Sequence, residues 1–305
     1  MNEFEEITRY ELAAQALPPE LRREALHLPD CEKLRAEEFR LRVDRRPSVL
    51  LGEGEKRFSE TSVTPQMLER MINEVTEYSR YASSETLRQG YLTVRGGFRL
   101  GVCGKAVEFD GKNHDITDVS SVCLRILREK RGIAEHVAEQ LFENGRFCST
   151  LILSPPGGGK TTLLRDLVRT LSDGTSRRAS LRVAIVDERS ELACCYQGAP
   201  QMAVGMHTDV LDGCTKALGI PMVLRAMNPQ LIALDEISLA QDVETMAQAA
   251  NCGVALLASI HAQDEHELSK KLCYCRMVQT QLFEKLVTIR VAGGVRCYEV
   301  KDFVL

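Results

Sequence analysis

Polar and apolar positions repeat with changing period along this chain, and the changes mark its elements. Residues 1–35 are charged with a helical rhythm, broken at Pro18-Pro19 and again at Pro29. Over 37–51 the period drops to two. Phe39, Leu41 and Val43 face one way and Arg40 and Arg42 the other, which predicts a strand that Pro47 turns or places at an edge. Thr64-Pro65 starts a helix through Tyr78, with Met67, Leu68, Met71, Ile72 and Val75 as its apolar stripe. Ser83 or Ser84 caps a shorter helix ending at Gly90. Strand signals fill 91–109, split by Gly96-Gly97, and return over 119–127; a helix follows over 132–141. The boundary between two domains falls within 130–147, and we divide the chain into 1–140 and 141–305.

The second part has a more regular rhythm. Short apolar strands at 148–153, 181–186, 230–234 and 254–259 alternate with helical patterns at 160–171, 221–227, 239–250 and 264–273. Such alternation predicts an α/β domain with a parallel, doubly wound sheet. The tail, 286–291 and 295–300 around Ala292-Gly293-Gly294, reads as a hairpin. The N-terminal part reads as a smaller α+β domain.

The first strand of the second part runs into Ser154-Pro155-Pro156-Gly157-Gly158-Gly159-Lys160-Thr161-Thr162, and an amphipathic helix follows at once. Strand, glycine-rich loop and helix together form a phosphate cradle. Gly157, Gly158 and Gly159 leave backbone N–H groups free to converge on an anion, and the helix adds its positive end. Lys160 can place its charge on the β- and γ-phosphates, and Thr161 can offer a hydroxyl to Mg²⁺. The usual loop opens with Gly; here that position is Ser154.

Two further strands end in paired carboxylates. Asp235-Glu236 closes the apolar run 231–234, at the strand edge where a doubly wound sheet binds ligand. Asp235 suits Mg²⁺, held through water, and Glu236 suits the orientation or deprotonation of an attacking water. Asp187-Glu188 repeats the design after 183–186, with Arg189 beside it as a local ion-pair partner. His261 follows the strand 254–259, where a polar group can sense a γ-phosphate. Arg225, ahead of Pro229, can stabilise phosphate charge or pair on a helix surface.

Composition narrows these readings. The chain has 305 residues and a hydrophobic fraction of 44%, enough for two full cores. A net charge of −4, aromatics of only 5% and no Trp count against a nucleic-acid binder driven by bulk charge and base stacking. Eleven cysteines include no C-x-x-C pair, and Cys148 and Cys252 sit in apolar patterns. Buried, reduced thiols, and therefore a reducing cytoplasm, are expected. The acidic start of the sequence lacks a signal-peptide core, and no apolar run is long enough to span a bilayer. Any membrane association is expected to be peripheral, through partners.

In order, the phosphate loop, Asp187-Glu188, Asp235-Glu236 and Ser259-Ile260-His261 resemble the secretion ATPase superfamily of type II/IV secretion and pilus motors. The stretch from Arg225 through Pro229 to Asp235-Glu236, then Glu244 and Ala-Asn-Cys-Gly-Val, is similar to the segment those motors place before their histidine box. Those motors often have Gly where Asp235 stands, so Glu236 is the better match to their catalytic glutamate. Across nearly its whole length the chain also resembles a family of endospore-formation proteins. That likeness is carried by Glu38-Phe-Arg-Leu-Arg-Val, Tyr81-Ala-Ser, the stretch 90–104, Ser120-Ser-Val-Cys-Leu-Arg-Ile, the stretch 208–216 and Phe283-Glu-Lys-Leu-Val. The resemblance implies a RecA-like P-loop ATPase domain using ATP and Mg²⁺, in a homo-hexamer. It implies membrane-anchored channel proteins between mother cell and forespore as partners; no nucleic acid is expected, on the charge and the few aromatics. It also implies N-terminal basic residues acting on a neighbour's nucleotide, for which Arg99 and Arg125 are the candidates; local pairing with acidic residues is the alternative. Two other functions stay open on the residues alone: a nucleotide-binding scaffold with negligible hydrolysis, and a RecA-like motor on nucleic acid.

Overall fold

The structure, a computed structural model, describes residues 3–52, 54–76, 87, 90–109, 113–292 and 295–303. The Tyr81-Ala-Ser motif, the cap at Ser83 or Ser84 and the Gly293-Gly294 turn lie outside these residues. Two compact units are present. One holds Met1–Glu129 together with Cys194–Gln201, and the other holds Lys130–Ala193 and Met202–Leu305. The second unit thus begins at Lys130 and includes residues 130–140.

In the first unit, proline punctuates the start as expected. Helices α1 (Glu3–Ala14), α2 (Pro19–Leu26) and α3 (Asp30–Lys33) are separated at Pro18 and Pro29. The strands β1 (Ala36–Arg42), β2 (Ser48–Leu51), β3 (Gly54–Arg57), β4 (Tyr91–Val94), β5 (Phe98–Phe109) and β6 (Asn113–Arg125) form one sheet in the order β3-β2-β1-β6-β5-β4. Every pairing in it is antiparallel. The alternation of β1 does what it predicts, with Phe39 and Leu41 fully buried while Arg40 and Arg42 stay partly exposed. Helix α4 (Pro65–Val75) starts where Thr64 Oγ1 accepts the Met67 N–H, and it buries Met67, Leu68, Met71 and Ile72. Tyr10, Phe39, Phe98, Leu100 and Leu124 fill the core, and the buried Tyr10 hydroxyl donates to the Ala25 carbonyl.

The second unit contains α5 (Glu135–Gln140) and a two-strand ribbon, β7 (Phe142–Glu143) with β8 (Arg146–Phe147). Its main sheet comprises β9 (Thr150–Ser154), β10 (Val183–Asp187), β11 (Thr208–Asp212), β12 (Leu231–Leu234), β13 (Ala255–His261), β14 (Lys285–Ala292) and β15 (Val295–Asp302). The order is β11-β10-β12-β13-β9-β14-β15. All pairs are parallel except the closing β14–β15 hairpin. Strands β9, β10 and β12 are buried along their whole length, as a parallel sheet covered on both faces requires. Helix α6 (Lys160–Asp173) buries Leu163, Leu164, Leu167, Val168 and Leu171, each worth about 2 kcal/mol of apolar transfer.

Three elements differ from the sequence reading. Helix α7 (Lys216–Met227) begins five residues before Pro221, which therefore lies inside the helix rather than at its first turn. The expected helix at 264–273 is two helices, α9 (Glu265–Ser269) and α10 (Leu272–Gln279), after α8 (Ala240–Asn251). Strand β11, which lies at the sheet edge with no residue of it fully buried, has too weak an apolar pattern to be read as a strand. Cys252, expected to be buried, is exposed at the end of α8.

Candidate functional site

The loop between β9 and α6 takes the form its glycines permit. Gly157 and Gly159 have positive φ (73° and 99°), a region that costs an L side chain energy. Gly158 is required for another reason, because a Cβ there would lie 2.0 Å from Ser154 Oγ. Ser154, in the place of the usual first glycine, is fully buried and donates to the Pro155 carbonyl at 3.0 Å. Its hydroxyl is turned into the loop's own backbone, and Gly158 makes room for it. Pro155 and Pro156 lead to the exposed turn at Gly157. Lys160 is 8% exposed at the first position of α6 and forms no salt bridge among the described residues.

Thr161 Oγ1–H donates to Asp235 Oδ2 at 2.8 Å. The loop and the end of β12 are thus brought together across 74 positions of sequence. Thr162, beside Thr161, is half-buried. The other Asp235 oxygen, Oδ1, accepts the Ser259 hydroxyl at 2.5 Å. Ser259 is fully buried on β13, and its Oγ also accepts the Glu236 N–H at 3.0 Å. One hydroxyl therefore aims both acidic residues.

Glu236 is held in the left-handed region, φ +50°, which for a non-glycine residue costs on the order of 1 kcal/mol. Its carboxylate lies 3.2 Å from Arg189 Nη1 and 3.7 Å from His261 Nε2. The other His261 nitrogen, Nδ1, is buried with no hydrogen-bond partner among the described residues. Main-chain pairing of β13 with β9 sets His261 opposite Ser154.

Asp187 and Glu188 end β10 in the same position on the neighbouring strand, but their groups are engaged. Asp187 is 1% exposed, and its oxygens accept the backbone N–H groups of Glu191, Leu192 and Ala193, each at 2.9 Å. Burial pushes its carboxyl up to about 6, with nearby Asp212 adding to the rise and the three N–H donors opposing it. Arg165 of α6 grips the same turn through the carbonyls of Glu191 and Leu192, both at 2.6 Å. Glu188 pairs with the buried ammonium of Lys216 at 2.6 Å, fixing the start of α7. A small cleft is lined by Asp187, Glu188, Arg189, Lys216, Asp235 and Glu236.

The remaining candidates lie elsewhere. Arg225 donates to the Pro221 carbonyl at the far end of α7, nine residues or roughly 13 Å along the helix from Lys216. It does not join the loop within its own chain, because α7 runs back towards the start of β12. In the first unit, Arg125 Nε–H donates to Glu38 at 3.1 Å, with the Arg125 side chain 64% exposed. Arg99 lies over the Tyr91 ring, 3.8 Å from its centroid.

Sequence reasoning missed the dual role of Ser259, the Lys216 partner of Glu188, and Arg296 of β15. Arg296 Nε–H donates to the Gly158 carbonyl at 2.9 Å. A polar residue near the end of β13 gave some signal for Ser259. Nothing in the local pattern around Arg296 connects it to a loop 138 positions away.

A profile of the family described as "Sporulation stage III, protein AA" matches residues 8–300. The stage III sporulation protein AA of Bacillus subtilis (strain 168) is 35% identical over 281 residues, 92% of this chain and 91% of that protein. Among solved structures, the ATPase DotB of Legionella pneumophila superposes with a TM-score of 0.60 at 15% identity, covering 93% of this chain and 80% of its own. The pilus retraction motor PilT, solved with bound ADP, superposes at 0.58 and 16% identity, covering 88% and 79%. The fold is that of the secretion ATPases, with an N-terminal antiparallel-sheet domain. No helix among the described residues is long and apolar enough to cross a membrane.

Proposed function

The chain belongs to the sporulation stage III protein AA family, and from that premise we propose that it is a Mg²⁺-dependent ATP hydrolase. The observation that carries this reading is the 2.8 Å contact between Thr161 and Asp235, which joins a glycine cradle to an acidic strand end. A serine at the loop's first position does not disturb it, since Gly158 accommodates the Ser154 hydroxyl. Thr161 and Asp235 present two hard oxygen donors side by side and fit Mg²⁺, which they would hold. Bound there, the ion would offset the charge of the phosphates. The N–H groups of the loop bind phosphate oxygens, and Lys160 adds a positive charge to them. Glu236 orients a water and accepts its proton, while Arg189 and His261 keep its carboxylate in place.

The test is turnover. Lys160→Ala should lower ATP hydrolysis by about 10²–10³-fold with the fold intact, the usual cost of losing one direct charge-stabilising contact. A protein that binds ATP but turns none over is instead a nucleotide-binding scaffold.

The family and the fold support a motor that works on a membrane-associated channel during endospore formation, in the cytoplasm, through membrane-anchored partners and as a ring of six copies. In such a ring the exposed Arg125, with Arg99, would meet a neighbour's phosphates. Arg125→Ala and Lys160→Ala proteins, each inactive alone, should then regain partial turnover on mixing, since some interfaces pair an intact arginine with an intact loop. Co-assembly without recovery would remove Arg125 from that role.

A further inference from the structure

Arg296 stands near the tip of the β14–β15 hairpin, exposed, and pairs with no carboxylate among the described residues. Its Nε–H donates to the Gly158 carbonyl at 2.9 Å. Its stem occupies the space that a side chain on Gly159 would need: a Cβ there would lie 2.7 Å from Nε and 3.2 Å from Cδ of Arg296. Gly159 itself is held at φ +99°, immediately before α6. A trans peptide points the carbonyl of one residue and the N–H of the next in opposite directions within a single plane. A guanidinium that holds the Gly158 carbonyl outward therefore turns the Gly159 N–H the other way. That N–H donates to no backbone carbonyl among the described residues.

We propose that Arg296 is a positioning residue, and that its hold on the Gly158 carbonyl presets the Gly159 N–H for a phosphoryl oxygen. This rests on reading 154–162 as a phosphate cradle. The C-terminal hairpin is then a working part of the loop. A loop peptide fixed before binding loses less freedom when the ligand arrives, so the effect falls on affinity. The absence of a side chain at Gly159 acquires a second purpose beyond its φ, since it leaves a slot for the arginine stem.

The test compares Arg296→Met and Arg296→Lys in the full chain. Both keep a long apolar stem across Gly159, and only lysine keeps a donor. ADP binding is measured by calorimetry without Mg²⁺, and thermal unfolding is measured without nucleotide. Arg296→Met should bind ADP about five- to tenfold more weakly, the usual net worth of one exposed hydrogen bond, with Arg296→Lys recovering most of it. The nucleotide-free unfolding temperature should match wild type in both, because an exposed hairpin residue contributes little to the core. Wild-type affinity in Arg296→Met, a Lys variant as weak as the Met variant, or an equal loss of stability without nucleotide would each overturn the proposal. Lys160→Ala serves as the control for the cradle: if it binds ADP like wild type, the cradle reading fails, and the role of Arg296 with it.

Discussion

Strands β10 and β12 are neighbours, both parallel and buried, and both end in Asp-Glu, yet the two acidic pairs do different work. At the end of β12, Asp235 holds two hydroxyls, from the phosphate loop and from β13, and Glu236 sits in a strained backbone beside a histidine and an arginine. At the end of β10, Asp187 is consumed by three backbone N–H groups and Glu188 by a buried lysine. The first pair is tied to the phosphate loop and to β13, and the second fixes the path of the chain. Identical residues on identical elements therefore differ in role according to what the next few residues offer them. After Glu236, the chain turns away through Ile237, whose N–H goes to the Ser259 carbonyl. After Glu188, it curls back and presents 191–193 to the carboxylate.

The widest separation between the two pairs should appear in turnover. Glu236→Gln should reduce hydrolysis at least ~100-fold while ATP stays bound, since the amide keeps the shape but takes no proton. Asp235→Asn should weaken nucleotide binding and Mg²⁺ dependence together. Glu188→Gln should leave turnover near wild type. Similar mild effects from the β10 and β12 changes, measured in one steady-state assay, would erase the distinction.

Stability should then reverse the ranking. Glu188→Gln leaves the Lys216 ammonium buried and without its counter-charge, and should cost about 1–2 kcal/mol in denaturant unfolding. The figure is below the usual cost of breaking a buried pair because the Glu188 side chain is 38% exposed. Glu236→Gln, which relieves no buried charge, should be nearly neutral in the same measurement.

The smallest expected difference is in pH dependence. Burial raises the Asp187 carboxyl to about 6, above its unfolded value near 3.8. In that interval the folded state binds more protons than the unfolded one, so this group's contribution to stability falls as pH rises from about 4 to about 6 and is constant above. Subtracting the profile of Asp187→Asn from that of wild type should reveal that descending limb. A flat difference would mean that the three N–H donors cancel the effect of burial.

Much of this arrangement was legible in the residues. The loop, the helix after it and both Asp-Glu strand ends follow from short-range periodicity and from glycine chemistry. What stayed hidden depends on contacts distant in sequence. The turn that claims Asp187 consists of ordinary residues whose N–H groups carry no sequence signature. For Arg225 the residues alone leave open a phosphate contact or a place on a helix surface. The start of α7 at Lys216, disguised by Pro221, puts it at the end of the helix away from Lys216, bonded to the Pro221 carbonyl. Arg99 and Arg125 were chosen by resemblance, and each has a partner within its own unit, which periodicity alone does not reveal. Arg296 lies at the far end of the chain, and only the addition of β14 and β15 beside β9 brings it to the loop.

The turn on Asp187 also marks a departure point. Immediately after it, Cys194–Gln201 belongs to the first unit, where the Gly96 N–H donates to Gln201 Oε1 and Gly97 leaves room for the Cys194 side chain. The Met202 N–H then returns to the Ala193 carbonyl and closes the neck of this excursion. Domains made on a ribosome commonly fold from the N-terminal end as each is completed. Here the first unit cannot be completed until residue 201 has been synthesised, after β9, α6 and β10 of the second unit already exist. Completion of the first unit therefore overlaps with synthesis of the second, and a nascent chain arrested between 129 and 193 should leave the turn at Gly96-Gly97 more open to protease than a chain extended past 201.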